Sequence, residues 1–411
     1  KPMMLRNTAR ACRRISAAPF LRGSSMAPRA AAAWAPRAAQ PFSSSAVRGY
    51  SAPQQGMFCF QCEQTNEGTG CTTVGVCGKT PEVAWAQDLL VEQLKNVAAY
   101  TNAAIQLGAE APHDISKFTI GALFATLTNV NFDASRFRNY LEEAVELEGK
   151  AKQLYMDANG GKDGLGLEKK VDLSKDLSEQ GRKYGVIARG ERFGGNADAA
   201  SVVELITYGL KGMAAYADHA SQLGYEDPSI FNFVFETLDK IRVSEQEVPD
   251  LNALLGTALA VGAKNAEVMA LLDKAHTSEF GAPSPAKANR SPVAGKAILV
   301  SGHDLGDLRA LLEQTQGTGV NVYTHGEMLP AHGYPELRKF EHLKGNYGGP
   351  WQQQNFDFSM FPGPVLITTN CLVEPRKGYR NRIYTTNAVG FDGITHVKDR
   401  DFSALVAQAQ Q

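Results

Sequence analysis

Four cysteines crowd the stretch MFCFQCEQTNEGTGCTTVGVCGKTPE, residues 57–82. They are Cys59, Cys62, Cys71 and Cys77, spaced C-x2-C-x8-C-x5-C. Thiolates are soft donors, and both zinc and iron accept four of them in a tetrahedral arrangement. Cys59 and Cys62 can grip one metal, or one edge of a cluster, from a single turn. Gly68, Gly70 and Gly75 let the backbone between the ligands wrap closely. The spacing points to metal ligation without choosing between zinc and an iron–sulfur cluster, and it is not the run of the bacterial ferredoxins. The remaining cysteines are Cys12 and Cys371. Four clustered thiols, in an odd count once Cys12 is set aside with the amino-terminal segment, favour ligation over disulfides.

A second set of donors is spread along the chain. His303 lies two residues after the apolar run AILVS (297–301). Glu327 lies four residues after VNVY (320–323), inside THGEMLPAH. Cys371 directly follows PVLITTN (364–370). Each run reads as a buried parallel strand. The carboxyl ends of such strands are where open α/β sheets place their ligand crevice. Nitrogen, oxygen and sulfur donors therefore meet at one rim, and mixed hard and soft ligation leaves iron sites unsaturated and reactive. Taken singly, each residue has a structural explanation. His303 could contact Asp304, Glu327 could pair with a cation, and Cys371 could be a small buried apolar residue. Their shared position at three strand ends argues for a site. His325 and His332 are near enough to compete as ligands. His325-Gly-Glu327 also fits the H-x-E fragment of zinc deaminases, but the P-C-x-x-C partner is absent.

These groups need a scaffold. Thr80-Pro81-Glu82 predicts a helix start, with a cap, a proline at the first position and an early acid. Helical spacing continues over 117–129, 134–157, 199–223, 229–242 and 248–275, with a stop at Asn159-Gly160-Gly161. Residues 160–197 read as a loop or a short irregular insertion. GAPSPAKANRSPVAG (281–295) is a linker. Beyond it, strands alternate with a helix over 304–317 and a helical stretch near 335–344, which signals a Rossmann-like α/β unit. The predicted fold class is α + α/β. Residues 57–280 carry the cysteine cluster and a helical-bundle domain, and residues 296–411 form a Rossmann-like parallel-sheet domain.

The formal net charge of -1 hides an asymmetry. Residues 1–50 hold Lys1 and eight arginines and no acid. This Arg-, Ala- and Ser-rich composition predicts a disordered organellar presequence over 1–56, with Arg-Gly-Tyr-Ser at 48–51 as a processing site. A mitochondrial address is expected, a plastid the alternative, and a plain basic tail the bland explanation. The acidic remainder argues against non-specific nucleic-acid binding. No run of about 18 apolar residues exists, so no membrane span is expected. Gly317-x-Gly319 precedes a strand, the wrong context for a nucleotide fingerprint.

MFCFQCEQT and GTGCTTVGVCGKTPEVA closely resemble the amino terminus of the hybrid cluster proteins, also called prismane proteins or hydroxylamine reductases. SGHDL, THGEMLPAH and TTNCL are similar to that family's successive ligand motifs, and the resemblance runs from Met57 to the last residue. It implies that Cys59, Cys62, Cys71 and Cys77 hold a [4Fe-4S] cluster rather than the [2Fe-2S] type. It further implies that His303, Glu327 and Cys371 ligate a hybrid [4Fe-2O-2S] cluster. Glu327 is then a candidate proton shuttle, because a hard carboxylate can leave and rejoin iron. The implied reaction is the two-electron, two-proton reduction of hydroxylamine to ammonia and water, with nitric oxide reduction and protein S-nitrosylation as further activities. A ferredoxin or an NAD(P)H-dependent reductase is the implied donor. Family members continue by roughly another third, with a further α/β domain, three more cysteines and another glutamate. No cysteine follows Cys371 here. The expectation is a C-terminally truncated chain with an incomplete active-cluster ligand set and no turnover of its own. The competing expectations are a non-catalytic [4Fe-4S] electron-transfer module and a zinc-stabilised structural protein.

Overall fold

The computed structural model describes residues 56–411; the predicted presequence and its processing site lie outside the described residues. The helix start at Thr80-Pro81 is where the sequence puts it. Thr80 accepts a hydrogen bond from the Val83 backbone N–H, and α1 (Pro81–Gln106) follows, buried on almost every side. α2 (His113–Ala125) comes next, then the two-residue strand β1 (Asn131–Phe132) and α3 (Ala134–Ala158). The Asp133 carboxylate caps α3 by accepting from the backbone of Ser135 and Arg136. α2 starts and stops about four residues earlier than its apolar pattern suggests. Asn129, at φ 58, turns the chain instead.

Residues 160–197 are not simply a loop. They contain α4 (Leu177–Tyr184) and α5 (Val186–Arg192). Both are too short for periodicity to reveal, and a buried arginine holds them. Arg189 donates to Glu204 at 2.9 Å, to Asp88 at 3.3 Å and to the Tyr184 carbonyl at 2.7 Å. α6 (Ala197–Gln222), α7 (Pro228–Ser244) and α8 (Leu251–Phe280) complete the helical part, capped by Asn196, Asp227 and Asp250. α8 buries Leu254, Val261, Val268 and Ala275, a stripe at seven-residue spacing. A Cβ on Gly209 of α6 would lie 2.9 Å from Val261 Cγ1, so the two helices approach closely there. By length and composition alone α8 is apolar enough to cross a membrane. It does not show as an uninterrupted apolar run, because Lys264 and Glu267 break it.

The sheet part has six parallel strands. They are β2 (Lys296–Ser301), β3 (Val320–His325), β4 (Leu343–Asn346), β5 (Val365–Ile367), β6 (Ile383–Thr385) and β8 (Thr395–His396), in the spatial order β4-β3-β2-β5-β6-β8. β7 (Gly390–Phe391) leaves this sheet and pairs in parallel with β1 of the helical part. The mixture of helices and parallel sheet is the one the sequence predicts. Two details differ. The helical stretch near 335–344 is only α10 (Pro335–Arg338), because the chain then becomes β4. Gly345 lets β4 sit under the connecting segment, where a Cβ would lie 2.0 Å from the Asn289 carbonyl oxygen. The strand around 364–370 is only Val365–Ile367, and Thr368–Asn370 turn towards Cys371.

Side chains alternate across β2 as the pleat requires. Leu299, with Tyr323, Val365 and Ile367, joins a core continuous with α1, α2, α3, α6 and α7. Ile298 and Val300 join the opposite core, with Leu308, Leu311 and Leu312 of α9 (Leu305–Thr315) and Leu405 of α12 (Ser403–Gln410). Both faces are covered, which explains the continuous apolar runs of the strands.

One buried polar group is charged with consequence. Asp304 caps α9, accepting from the Asp307 backbone N–H at 2.8 Å. Asp307 accepts from Arg400 Nε at 2.8 Å and from the Asn387 amide at 2.9 Å. Burial, reinforced by the neighbouring Asp307 charge, pushes the Asp304 carboxyl up to about 7. A raised carboxyl binds a proton in the native state that the unfolded chain has already lost, so it stabilises at low pH and that stability drains away as pH climbs towards 7. Urea unfolding is expected to show stability falling between pH 5 and pH 8, by at most about 1.4 kcal/mol per pH unit for one proton. Asp304→Asn, whose amide oxygen can still cap α9, is expected to flatten that slope.

Candidate metal centres

The rim of the sheet brings His303, Glu327 and Cys371 together, with one donor atom of each within 4.8 Å of the others. β2 ends at Ser301, and Gly302 turns the chain at φ +107. A Cβ there would lie 2.5 Å from Thr368 Oγ1, so only glycine brings His303 onto the rim at this point. Thr369 then orients the imidazole. Its hydroxyl accepts from the His303 backbone N–H at 2.9 Å and sits 3.1 Å from Nδ1, while donating to Asn370 Oδ1 at 3.2 Å. With its own proton committed, Thr369 Oγ1 accepts from Nδ1–H, which leaves Nε2 as the ligating nitrogen. Nε2 lies 3.1 Å from Glu327 Oε2.

Glu327 stands in a 3-10 turn, Gly326–Gly333, that begins where β3 stops. Cys371 sits at φ 70, a conformation uncommon for a side-chain-bearing residue. Gln354 holds it there from both sides. Its amide donates to the Cys371 carbonyl at 2.6 Å, and its oxygen accepts from Val373 N–H at 3.2 Å. The Cys371 thiol donates to the same Glu327 Oε2 at 2.7 Å. Glu327 is 51% exposed while Cys371 is buried, so the site opens to one side. The His303 hydrogen bond, opposed by burial and helped by the thiol, draws the Glu327 carboxyl down to about 2. Burial, then the Glu327 charge, pushes the Cys371 thiol well above its ordinary range. Ligation by Cys371 would require loss of this thiol proton.

The competing histidines are committed elsewhere. His325 lies between Ser301 Oγ and Asp357 Oδ2, each at 3.1 Å, and His332 lies 2.9 Å from Thr324 Oγ1. Neither joins the three-donor group. Sequence reasoning did not single out Thr369 or His219. The His219 ring, on α6, is centred 6.5 Å from that of His303, and burial, then the His303 charge, pushes it down to about 3, so it is neutral. Thr369 stands two residues before Cys371, and that adjacency was the available signal.

The four amino-terminal cysteines close a separate loop. Cys59 and Cys71 exchange backbone hydrogen bonds at 3.0 and 2.8 Å as an isolated antiparallel bridge. All four are free thiols. Burial opposes ionisation of Cys71, but backbone N–H groups, the Thr65 hydroxyl and Lys79 outweigh it and bring the thiol below its ordinary value. Burial, only partly offset by Lys79, pushes Cys77 up. Among the described residues, these four do not form a donor group drawn within 4.8 Å. A tetrahedral zinc site with 2.3 Å bonds holds its sulfurs about 3.8 Å apart. The loop also reaches the rim, because the Glu374 backbone N–H donates to the Cys77 carbonyl at 3.0 Å, three residues beyond Cys371.

The Prismane/CO dehydrogenase family model matches residues 57–411. A protein of Zymomonas mobilis named hydroxylamine reductase is 47% identical over 358 residues, which are 86% of this chain and 64% of that one. A hydroxylamine reductase of Escherichia coli is 46% identical over 370 residues, covering 86% of this chain and 65% of its own. The chain therefore spans just under two thirds of the length of the curated relatives it matches. Among solved structures, a carbon monoxide dehydrogenase of Thermococcus sp. AM4 covers 88% of this chain and 54% of its own at 15% identity, with a TM-score of 0.33, a likeness too weak to bear on the fold.

Loss of the partner that fixes a ligand's tautomer typically weakens metal affinity about 10- to 100-fold. Thr369→Val is expected to weaken by that factor the cobalt(II) binding phase that Cys371→Ser abolishes, measured by visible absorption titration, while Thr369→Ser preserves it.

Proposed function

The chain belongs to the Prismane/CO dehydrogenase family, and on that premise we propose that it carries the iron–sulfur centres of a hydroxylamine-reducing oxidoreductase. The observation that carries this reading is the convergence of imidazole, carboxylate and thiol on one rim, with the four-cysteine loop hydrogen-bonded to the same segment. Cys59, Cys62, Cys71 and Cys77 would hold a [4Fe-4S] cluster. Four thiolates suit either a cluster or a single zinc, and the family match favours the cluster. His303, Glu327 and Cys371 would supply three donors to a hybrid [4Fe-2O-2S] cluster, since a hard carboxylate and a soft thiolate suit a centre with both oxo and sulfido bridges. Segments 57–280 and 296–411 would act as successive domains, helical and Rossmann-like.

The proposed reaction takes hydroxylamine, two electrons and two protons to ammonia and water; nitric oxide is a second candidate substrate. When bound, the hybrid cluster would supply electrons and Lewis acidity at the N–O bond. The protein's own residues do the rest. Thr369 would hold His303 through Nδ1 and aim Nε2 at the rim, where metal binding would displace its contact with Glu327. Gln354 fixes the Cys371 backbone. Glu327, half exposed and free to leave a metal, is placed to carry protons between solvent and the rim. A ferredoxin or an NAD(P)H-dependent reductase would supply electrons near the cysteine loop.

The second reading is an electron-transfer module that holds the [4Fe-4S] cluster without turnover. Anaerobic purification separates the possibilities. Bound iron with acid-labile sulfide in about equal amount is the expected result; zinc in their place would reject the whole reading. With a reduced viologen dye as donor, hydroxylamine consumption then separates reductase from carrier. The basic segment 1–56 is proposed as a mitochondrial presequence. Fused to a fluorescent protein it is expected to direct mitochondrial import, and plastid import would assign the alternative address.

A further inference from the structure

Lysine is almost never fully buried unless it is paired. Lys79, two residues beyond Cys77, is only 3% exposed. Among the described residues no carboxylate lies within ion-pair distance of its ammonium. Nζ instead donates to Gln87 Oε1 at 2.6 Å and to Cys59 Sγ at 3.8 Å. Gln87 is itself buried on α1, and its amide donates to the Asn131 carbonyl at 3.3 Å, so the lysine is tied to the helix. The backbone of the loop closes over the same point, where Gly75 N–H donates to the Lys79 carbonyl at 2.8 Å.

The surroundings do not cancel the Lys79 charge. Behind Lys79 lie the buried cations Lys211 and Arg189 and the buried carboxylates Asp88 and Glu204. Arg189 pairs with both carboxylates. Lys211 has no carboxylate at ion-pair distance among the described residues. Counted with Lys79, the group holds three cations and two carboxylates. Nothing in the chemistry of sulfur ligation requires a buried ammonium there. Reduction of an iron–sulfur centre adds negative charge, and its potential responds to nearby charge and to hydrogen bonds on the ligand sulfurs.

We propose that Lys79 is a positioning residue that raises the reduction potential of the cluster held by Cys59, Cys62, Cys71 and Cys77, by placing a desolvated ammonium against the Cys59 sulfur. The inference rests on the cluster assignment made above. It is tested by redox titration of the anaerobically purified full chain, followed by electron paramagnetic resonance, with iron and sulfide measured on each sample. Lys79→Met is expected to lower the midpoint so that the reduced-to-oxidised ratio at a fixed potential falls at least tenfold, about 59 mV for a one-electron couple. Lys79→Gln, which can still bond Gln87, is expected to behave alike, and Lys79→Arg to stay near the parent. A loaded neutral variant that titrates with the parent overturns the proposal. Loss of iron from both neutral variants, with Lys79→Arg loaded, places the lysine in assembly and also overturns it. Failure of the parent itself to take up iron and sulfide is a different result, which removes the cluster assignment rather than the role of Lys79.

Discussion

Ser301, His325 and Ile367 stand level across three neighbouring parallel strands. The candidate rim depends on that register. A shift of one residue in a parallel strand turns each side chain to the other face. His303 and Glu327 follow β2 and β3 by two residues each, and Cys371 follows β5 by four. Only with these three ends level can an imidazole, a carboxylate and a thiol meet within 4.8 Å. The register is in turn held by apolar packing on both faces, and by Gly302, whose lack of a side chain lets Thr368 and Thr369 press against β2.

The helical part is fastened to the sheet by polar contacts rather than by the connecting segment alone. Arg136 on α3 donates to the carbonyls of Val389 and Asn387, each at 2.7 Å. Asn129 and Asn131 donate to the carbonyls of Leu372 and Ala388. β1 and β7 add a short parallel pair. These bonds lie on the approach to Cys371, so the contacts that join the helices to the sheet also fix the thiol's neighbourhood. The site is a consequence of the junction as much as of the sheet.

The sequence made the strand ends, the helix starts and the donors legible, because each depends on local pattern. Thr80-Pro81 and the apolar runs before His303, Glu327 and Cys371 needed no long-range information. What stayed hidden depends on partners far along the chain. α4 and α5 owe their stability to Arg189 reaching Asp88 and Glu204. β6, β7 and β8 have two or three residues each, too few for any period to show. Thr369 is visible as a threonine, but its role comes from His303, 66 residues away. Lys79 reads as an ordinary surface lysine until Gln87 and Cys59 enclose it. The apolar character of α8 is hidden for a different reason, because Lys264 and Glu267 interrupt it.

The hydrogen bond from Glu374 N–H to the Cys77 carbonyl links the two thiol-bearing loops through main-chain atoms. From Cys77 to Cys371 the route is one hydrogen bond and the peptide units of three residues. Such a bridge carries no side-chain identity, so a survey by alanine replacement would pass over it. The two loops can therefore diverge in surface residues while keeping an unbroken covalent and hydrogen-bonded wire between their ligands, which ties any displacement of one loop to the other.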